Sequence, residues 1–364
     1  KHIHVSCKRE VRRELHLQRV VVFGFDAQRS AQALLDFATE PGVPALSTVL
    51  ESGRALDEAK GPVFVFSGNG SQWQGMGKSL LADPVFHQTL VELDAIFQPL
   101  SGYSLIAELA GEYGQERYHL TELAQPALFA LQVGVTRMLA SQGVVPQVVM
   151  GHSVGEVAAA WACGALTLGD ATRVIYHRSR LQGLTAGSGQ MSAVGLSGSD
   201  TANLLLELGL DDVVVAGENS FKGATVAGSV AGLERLEQAL TERQVFVRRL
   251  GLDYAFHSPA MNVIAEQVVE ALRDIAPRAS QIPMYSTVTG GLLDGERLDA
   301  EYWWQNIRFP VLFQSASETL CEQGYNVFVE VGPHPILRSY VTDALATRDQ
   351  PVVVIARLKR QKDE

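Results

Sequence analysis

The sequence predicts an α/β fold in which a small α+β lobe is set into a larger unit. Three observations carry this prediction. Short apolar runs typical of buried strands alternate with Ala- and Leu-rich stretches typical of helices. A G-x-S-x-G pattern at residues 151–155 joins one such run to one such stretch. Between residues 191 and 250, strand-like and helical segments alternate in a βαβ-like block, which favours a separate small lobe.

The elements follow in order from the apolar patterns. Residues 1–60 form a lead-in with a strand at 19–25 and helical spacing at 30–39. The apolar segment at 62–66 predicts a buried strand that opens into a glycine-rich turn, and residues 126–139 predict a long apolar helix. The later predictions are strands at 213–215, 224–227, 245–247, 327–331 and 352–355, and a helix at 231–242.

Composition bounds the class of protein. The chain has 364 residues, 46% of them hydrophobic and 19% charged, as expected for a soluble globular protein with an ample core. A formal net charge of −10 argues against a nucleic-acid or anionic-membrane surface. Cys7, Cys163 and Cys321 are widely separated and form no disulfide or metal pattern, which favours a reducing, cytoplasmic location. No apolar run reaches transmembrane length and no signal peptide is recognisable.

The G-x-S-x-G pattern predicts a nucleophile elbow. An apolar run at 144–150 precedes it and an Ala-rich stretch at 156–163 follows it. A serine on a tight strand-to-helix turn exposes its hydroxyl, and the helix N-terminus lies where an oxyanion develops. Ser153 is therefore the candidate nucleophile; the alternative is a plain structural turn.

Separate motifs, in order along residues 61–358, resemble the acyltransferase domain of modular type I polyketide synthases, a malonyl-CoA:acyl-carrier-protein transacylase-like family. They are F-V-F-S-G-N-G-S-Q at 64–72, Q-P-A-L-F at 125–129, G-H-S-V-G-E at 151–156, Y-H-R-S-R at 176–180, Y-A-F-H-S at 254–258 and E-V-G-P-H-P at 330–335. The combination is far more specific than any single motif.

The resemblance implies an α/β-hydrolase-like large subdomain at 61–190 and 257–358 and an inserted ferredoxin-like small subdomain at 191–256. Residues 1–60 resemble the linker that joins a ketosynthase to its acyltransferase, and 359–364 form a tail. The chain begins at Lys1 and not at Met, so we expect a segment of a larger synthase with a ketosynthase adjacent in cis.

The resemblance also implies a mechanism. Ser153 would be the nucleophile and His257 its general base, forming a Ser–His dyad in which backbone carbonyls orient the histidine. The backbone N–H groups of Asn69 and Val154 would form the oxyanion hole. The family usually has glutamine at the position of Asn69, but the main-chain donor is retained.

Arg178 follows Ser153 by 25 residues, where the family places its carboxylate-binding arginine. A guanidinium grips a carboxylate through two parallel hydrogen bonds, as selection of a malonyl group requires. On periodicity alone, Arg178 would be assigned to a surface helix and His257 to an ordinary histidine of the core or surface.

His152, Val154, Tyr254 and Phe256 are the predicted specificity pocket, with a packing role as the alternative for His152. The Y-A-F-H tetrapeptide at 254–257 combines a tyrosine common in methylmalonyl enzymes with a phenylalanine common in malonyl enzymes. We expect Phe256 to fill the space that a 2-methyl branch would occupy. Val154 also favours malonyl, because methylmalonyl enzymes more commonly have glutamine at this position. Malonyl-CoA is therefore the expected donor, while methylmalonyl-CoA and other 2-substituted donors remain open.

The resemblance implies no bound cofactor and no metal. The donor would be an acyl-CoA, and the acceptor a phosphopantetheine thiol on an acyl carrier protein; nucleic acid and membrane are not expected partners. An acidic carrier would need a local basic patch such as Arg243, Arg248 and Arg249, although a solvated face explains these residues as well. The rival functions are an α/β-hydrolase-type thioesterase or esterase with His334 as base, a non-catalytic docking domain, and a free-standing transacylase.

Overall fold

The computed structural model describes residues 18–23, 49–54, 56, 58–114, 117–345, 353–356 and 358. Internal contacts divide the chain into two compact units, Lys1–Ala59 and Lys60–Glu364. In the first unit, β1 (Gln18–Phe23) and β2 (Val49–Arg54) form an antiparallel pair. The strand predicted at 19–25 is present as β1, whereas the helix predicted at 30–39 and the tail at 359–364 lie outside the described residues.

The described strands of the second unit form two sheets. The strands are β3 (Val63–Phe66), β4 (Val148–Gly151), β5 (Gln190–Val194), β6 (Val213–Ser220), β7 (Gly223–Gly228), β8 (Val247–Arg249), β9 (Met284–Ser286), β10 (Gly291–Leu293), β11 (Val311–Leu312), β12 (Val327–Val331) and β13 (Val353–Ala356). A six-stranded sheet has the order β10-β9-β4-β3-β12-β13, and a five-stranded sheet has the order β11-β6-β7-β5-β8.

The described helices belong to the same unit. They are α1 (Pro84–Ser101), α2 (Leu105–Ala110), α3 (Thr121–Ser141), α4 (Gly155–Ala162), α5 (Leu168–Gly183), α6 (Gly198–Leu208), α7 (Val230–Glu242), α8 (Ala265–Leu272), α9 (Ala300–Arg308), α10 (Phe313–Glu322) and α11 (Arg338–Leu345). Short 3-10 helices lie at Ser79–Ala82, Pro259–Ile264 and Gly295–Arg297. None of the helices in the described ranges combines the length and the hydrophobicity needed to cross a bilayer.

The large sheet is parallel from β9 to β13, and only β10 runs antiparallel at its edge. Strand β3 is buried along its whole length, because both faces of a mostly parallel sheet are covered. Phe66 pairs with Gly151, so β3 and β4 end side by side. The glycine-rich turn after β3 therefore meets the G-x-S-x-G turn after β4, where the N–H of His152 donates to the carbonyl of Phe66 at 2.9 Å.

Helix α3 is the apolar helix that the sequence predicts at 126–139, extended at both ends. It is apolar around most of its circumference, which is typical of a helix enclosed by other elements. A buried amide on this helix contacts the main chain of the large sheet, because Gln132 Nε2 donates to the carbonyls of Ser67 at 2.8 Å and Val331 at 3.2 Å. These two hydrogen bonds tie the start of the turn after β3, and the end of β12, to helix α3.

The small sheet is antiparallel from β6 to β8, and α6 and α7 share its hydrophobic cluster through Leu204, Leu233 and Leu236. Four of its strands lie between residues 190 and 249, close to the segment expected to form the small subdomain. The fifth, β11, comes from a later part of the chain and pairs in parallel with β6. A strand of two residues has no periodic pattern, so the sequence did not predict it.

Candidate active site

Ser153 occupies the sharp turn between β4 and α4. Its φ is 53°, a left-handed conformation that costs a non-glycine residue about 1–2 kcal/mol and therefore needs support from its surroundings. The flanking glycines make the turn possible: a Cβ on Gly151 would lie 2.3 Å from the nitrogen of Glu156, and one on Gly155 would lie 2.2 Å from the carbonyl oxygen of Phe66. The serine is thus presented above the sheet at the start of a helix.

His257 is the histidine in contact with Ser153. The distance from Ser153 Oγ to His257 Nε2 is 2.7 Å, and His257 Nδ1 lies 2.9 Å from the carbonyl oxygen of Phe309. Because that carbonyl can only accept, Nδ1 carries the proton and Nε2 is free to accept from the serine hydroxyl. His257 also has a positive φ, 59°, and its N–H donates to the carbonyl of Ile307.

The electrostatic surroundings keep His257 neutral. Burial lowers its pKa to about 3, with a further lowering by the charge of Arg178, while the hydrogen bond to Phe309 acts in the opposite direction. A neutral imidazole can take up a proton, so His257 is in the protonation state that a general base requires. His334, the alternative base, lies in the loop after β12.

Arg178 lies on α5 and is 1% exposed. Its NH2 group is 3.1 Å from Ser153 Oγ. The rest of the guanidinium is held by three buried amides: NH1 donates to Gln125 Oε1 at 2.6 Å and to Gln182 Oε1 at 2.8 Å, and Nε donates to Asn306 Oδ1 at 3.1 Å. All of these acceptors are neutral.

A buried cation with only neutral acceptors is electrostatically unusual. Burial lowers the pKa of Arg178 to about 9, and the carboxyl of Glu156 raises it in part. None of the ion pairs among the described residues includes Arg178. An anion brought next to Arg178 would therefore find a charge with no directly bound counter-ion.

Glu156 lies behind this cation. Its carboxyl is fully buried and accepts from Tyr302 OH at 2.6 Å, from Thr287 Oγ1 at 2.9 Å and from Asn306 Nδ2 at 2.9 Å. Burial raises its pKa, against which these hydrogen bonds act. Since Asn306 also accepts from Arg178, its amide separates the carboxyl from the guanidinium. Sequence reasoning had Glu156 and Gln125 inside motifs without a role, and it missed Gln182 and Asn306, which no motif marks.

The two predicted oxyanion donors lie on adjacent turns. Val154 caps the N-terminus of α4, where backbone N–H groups have no acceptor within the helix. Asn69 lies in the turn after β3, which is held by a 3.0 Å hydrogen bond between Ser67 and Ser71 and another from Ser71 to the carbonyl of Gly68. Among the described residues, nothing bonds to the buried Oδ1 of Asn69.

The ring of His152 contacts a strand of the small sheet. Its Nε2 lies 2.8 Å from Oδ1 of Asn219 in β6, and its ring packs against Phe313 with centroids 5.4 Å apart. Burial lowers its pKa. The link to Asn219 has no sequence signal, because it joins the large sheet to the small one.

Tyr254 and Phe256 form a stacked pair. Their ring centroids are 4.8 Å apart with planes 10° from parallel, and both side chains are buried. Burial raises the pKa of the Tyr254 hydroxyl. The stack leaves Phe256 little freedom to move.

The suggested basic patch is largely neutralised. Arg243 pairs with Glu207 at 2.5 Å and Arg249 with Glu237 at 2.6 Å, and Arg248 is exposed beside them. The solvated-face interpretation explains these residues better than a docking patch does. In the described ranges, no group of three or more His, Cys, Asp or Glu side chains is placed to hold a metal ion.

Comparison with known proteins identifies the family. Residues 63–364 match the family described as acyl transferase domain. The chain belongs to this family. A polyketide synthase, GfsA of Streptomyces halstedii, is 40% identical over 320 residues, and erythronolide synthase EryA2 of Saccharopolyspora erythraea is 35% identical over 351 residues. These alignments cover 86% and 96% of the chain but only 4% and 10% of the relatives.

Solved structures agree. The acyltransferase domain from module 8 of the salinomycin polyketide synthase has a TM-score of 0.91 at 35% identity, covering 96% of this chain and 82% of that one. A malonyl CoA-acyl carrier protein transacylase from Coxiella burnetii has a TM-score of 0.73 at 25% identity, covering 80% of this chain and 92% of that one. The predicted fold, an α/β-hydrolase-like large subdomain with a ferredoxin-like small one, and the predicted acyltransferase class of enzyme are both confirmed.

Proposed function

We propose that this acyltransferase domain loads a malonyl extender unit from CoA onto the phosphopantetheine thiol of an acyl carrier protein, through an acyl-enzyme on Ser153. The observation that carries the proposal is the buried guanidinium of Arg178, 3.1 Å from Ser153 Oγ and bound only to neutral amides. A carboxylate on the acyl group would supply the missing anion next to the nucleophile.

In the first half-reaction, the Ser153 hydroxyl attacks the thioester carbonyl of malonyl-CoA while His257 Nε2 takes its proton. The carbonyl oxygen becomes an oxyanion that the N–H groups of Val154 and Asn69 stabilise. When the intermediate collapses, the C–S bond breaks and His257 returns the proton to the CoA sulfur. Arg178 holds the malonyl carboxylate throughout.

The second half-reaction reverses these steps. The phosphopantetheine thiol gives its proton to His257 and its sulfur attacks the acyl-enzyme, and the Ser153 oxygen leaves with the proton returned. The two half-reactions share one site, so CoA must depart before the carrier arm enters, which gives ping-pong kinetics.

Selectivity for malonyl over branched donors is assigned to the stacked pair. Phe256 is buried and stacked on Tyr254, which is also buried, so the pair leaves little room for a 2-substituent. A branch of one methyl group is worth about 1–3 kcal/mol in a shaped pocket. Acetyl-CoA is rejected differently, because it leaves the charge of Arg178 buried without an anion.

The domain setting is also part of the proposal. The relatives are much longer synthases, and the module would supply the carrier protein and a ketosynthase in cis. Residues 1–60 would be the ketosynthase-to-acyltransferase linker, residues 61–190 and 257–358 the large subdomain, and 191–256 the small one. The product would be a polyketide, by analogy with the relatives' names.

Intact-protein mass after brief incubation with malonyl-, methylmalonyl- and acetyl-CoA in competition tests the proposal. We expect a malonyl adduct on the wild-type protein and none on Ser153→Ala. A methylmalonyl adduct would keep the mechanism and overturn the selectivity, assigning the decisive influence to Tyr254. Folded protein that takes no acyl group from any donor would overturn the proposal.

A further inference from the structure

A strand of the small sheet reaches the nucleophile's turn. The pairing of β6 with β7 is interrupted twice, between Val215 and Gly217 and between Glu218 and Ser220. Asn219 is the extra residue at the second interruption. A β-bulge re-aims the side chain that it carries, and such bulges occur next to active sites more often than elsewhere. Here the bulge directs the buried Asn219 side chain to His152.

The Asn219 amide has two side-chain partners. Nδ2 donates to Thr225 Oγ1 at 3.0 Å, and Oδ1 faces His152 Nε2 at 2.8 Å. An amide oxygen only accepts. His152 therefore carries its proton on Nε2, and a neutral ring leaves Nδ1 unprotonated.

The unprotonated edge of His152 faces the oxyanion turn. A Cβ on Gly68 would lie 3.0 Å from His152 Nδ1 and 2.6 Å from the carbonyl oxygen of His152. His152 thus touches the small sheet on one side and the turn that carries Asn69 on the other, and Ser153 follows it directly.

A charge on His152 affects the titration of His257, the proposed base. Such a charge would oppose protonation of His257. Elsewhere on β6, Glu218 packs against Gly198. A Cβ built on Gly198 would lie 2.5 Å from Cγ of Glu218. At the end of the β6–β7 hairpin, Lys222 pairs with Asp343 of α11 at 2.8 Å. The contacts given for Glu218 and Lys222 are therefore with residues other than His152.

Residues 217 and 218 of β6 also support the segment that orients His257. Val311 and Leu312 of β11 pair with Gly217 and Glu218. They follow closely after Phe309, whose carbonyl accepts the Nδ1 proton of His257 at 2.9 Å. Residues 217–219 therefore hold the segment that orients the base and, through Asn219, the residue that precedes the nucleophile.

We propose that the bulged strand β6 positions the Ser153–His257 pair, and that Asn219 is the positioning residue that fixes the ring and the tautomer of His152 beside the nucleophile. The small subdomain then contributes to the chemistry and not only to the walls of the cleft. The inference rests on the proposed function for its acyl donor, but its test does not depend on that donor.

The test measures how fast a fluorophosphonate labels Ser153, from pH 5 to 8.5, in the whole chain. Such a probe reports an activated serine whatever the acyl donor. The variants are Asn219→Ala and the isosteric Asn219→Asp. The matched control is Ser192→Ala, which removes the 2.6 Å hydrogen bond that the buried Ser192 donates to Glu237 of α7, elsewhere in the small subdomain. Loading from malonyl-CoA and thermal unfolding are followed in parallel.

We expect Asn219→Ala to label about 10- to 100-fold more slowly, because a small displacement of reacting groups costs that much, and Ser192→Ala to label at the wild-type rate. In Asn219→Asp the carboxylate favours a charged His152. Because that charge opposes protonation of His257 and so weakens it as a base, labelling should fall towards pH 5, where the wild-type rate is flat.

The inference would be overturned by Asn219→Ala labelling within twofold of wild type, or by an Asn219→Asp profile superimposed on that of wild type. The inference would also be overturned if Asn219→Ala and Ser192→Ala both lost labelling rate in proportion to their loss of thermal stability. Wild-type protein that reacts with the probe but not with malonyl-CoA would count against the proposed function alone, because the probe still tests the role of Asn219.

Discussion

The arginines on the surface of the small sheet and the arginine of the pocket lie in opposite electrostatic surroundings. Arg249 pairs with Glu237 and Arg243 with Glu207, and the hydrogen bonds that the arginines donate to these carboxylates raise the pKa of both arginines. Arg178 is buried among amides, and burial lowers its pKa to about 9. Each of the two surface charges has its counter-ion within the protein, whereas the pocket charge has none in direct contact among the described residues.

This difference supports the proposed ligand, an acyl group that carries a carboxylate. A buried guanidinium without a carboxylate destabilises the folded protein unless hydrogen bonds and a nearby charge compensate. Gln125, Gln182 and Asn306 supply the hydrogen bonds, and Glu156 supplies a charge at one remove. A malonyl carboxylate would add the contact ion that these described neighbours do not provide.

The largest expected effect tests which groups of the pocket do the chemistry. His257→Ala should slow loading of Ser153 by about 10² to 10⁴-fold, because the serine loses its base. His334→Ala should load at the wild-type rate. Burst-phase loading measured by rapid quench and intact mass distinguishes the two; a loss confined to His334→Ala would support the hydrolase arrangement.

The second effect addresses the comparison directly. Arg178→Gln should reduce malonyl loading by about 30- to 5,000-fold, the equivalent of about 2–5 kcal/mol for truncating one partner of a buried charge pair. Loading from acetyl-CoA should not fall, because no carboxylate is involved. Competition between the two donors gives the ratio, and an equal loss for both would mean that Arg178 does not recognise the carboxylate.

The third effect is on pH dependence. Because burial and Arg178 lower the pKa of His257 to about 3, the base stays neutral well below pH 6.5. Labelling of Ser153 by a fluorophosphonate should therefore be flat from pH 8 to about 5. In Arg178→Gln the charge that opposes protonation is gone, so the acid limb should move to higher pH. A wild-type limb near 6.5 would contradict the assigned surroundings of His257.

The fourth effect is on stability. Binding of malonyl-CoA to Ser153→Ala should raise the melting temperature by about 2–5 °C more than acetyl-CoA does, since only the former brings an anion to Arg178. Differential scanning calorimetry with the two ligands at the same concentration measures this, because the tighter ligand then stabilises more. The same difference persisting in a Ser153→Ala, Arg178→Gln double variant would place the carboxylate elsewhere.

The smallest effect is expected at the surface. Arg249→Gln removes a partly exposed ion pair and should change the free energy of unfolding by about 1 kcal/mol or less, with loading unaltered. Chemical denaturation and the loading assay check both parts. A loss of loading comparable with that of Arg178→Gln would remove the distinction between the two regions.

Much of the architecture could be predicted because it depends on local patterns. The apolar run of β3, the long α3 and the turn at Ser153 are visible in the order of residues, since period, glycine placement and helix propensity act over a few positions. The pairing of Ser153 with His257 and the position of Arg178 were predicted through the family resemblance. Neither His257 nor Arg178 has a local signal of its own.

What the sequence determined by itself was the set of elements, the elbow that exposes Ser153, and the likeness of its motifs to acyltransferases. Only the tertiary structure decided the partners of those motifs: Asn306 and Gln182 around Arg178, the carbonyl of Phe309 behind His257, and Asn219 beside His152. The physical reason is that hydrogen bonds between residues far apart in the chain depend on how the two sheets are brought together. No periodicity within one segment encodes them.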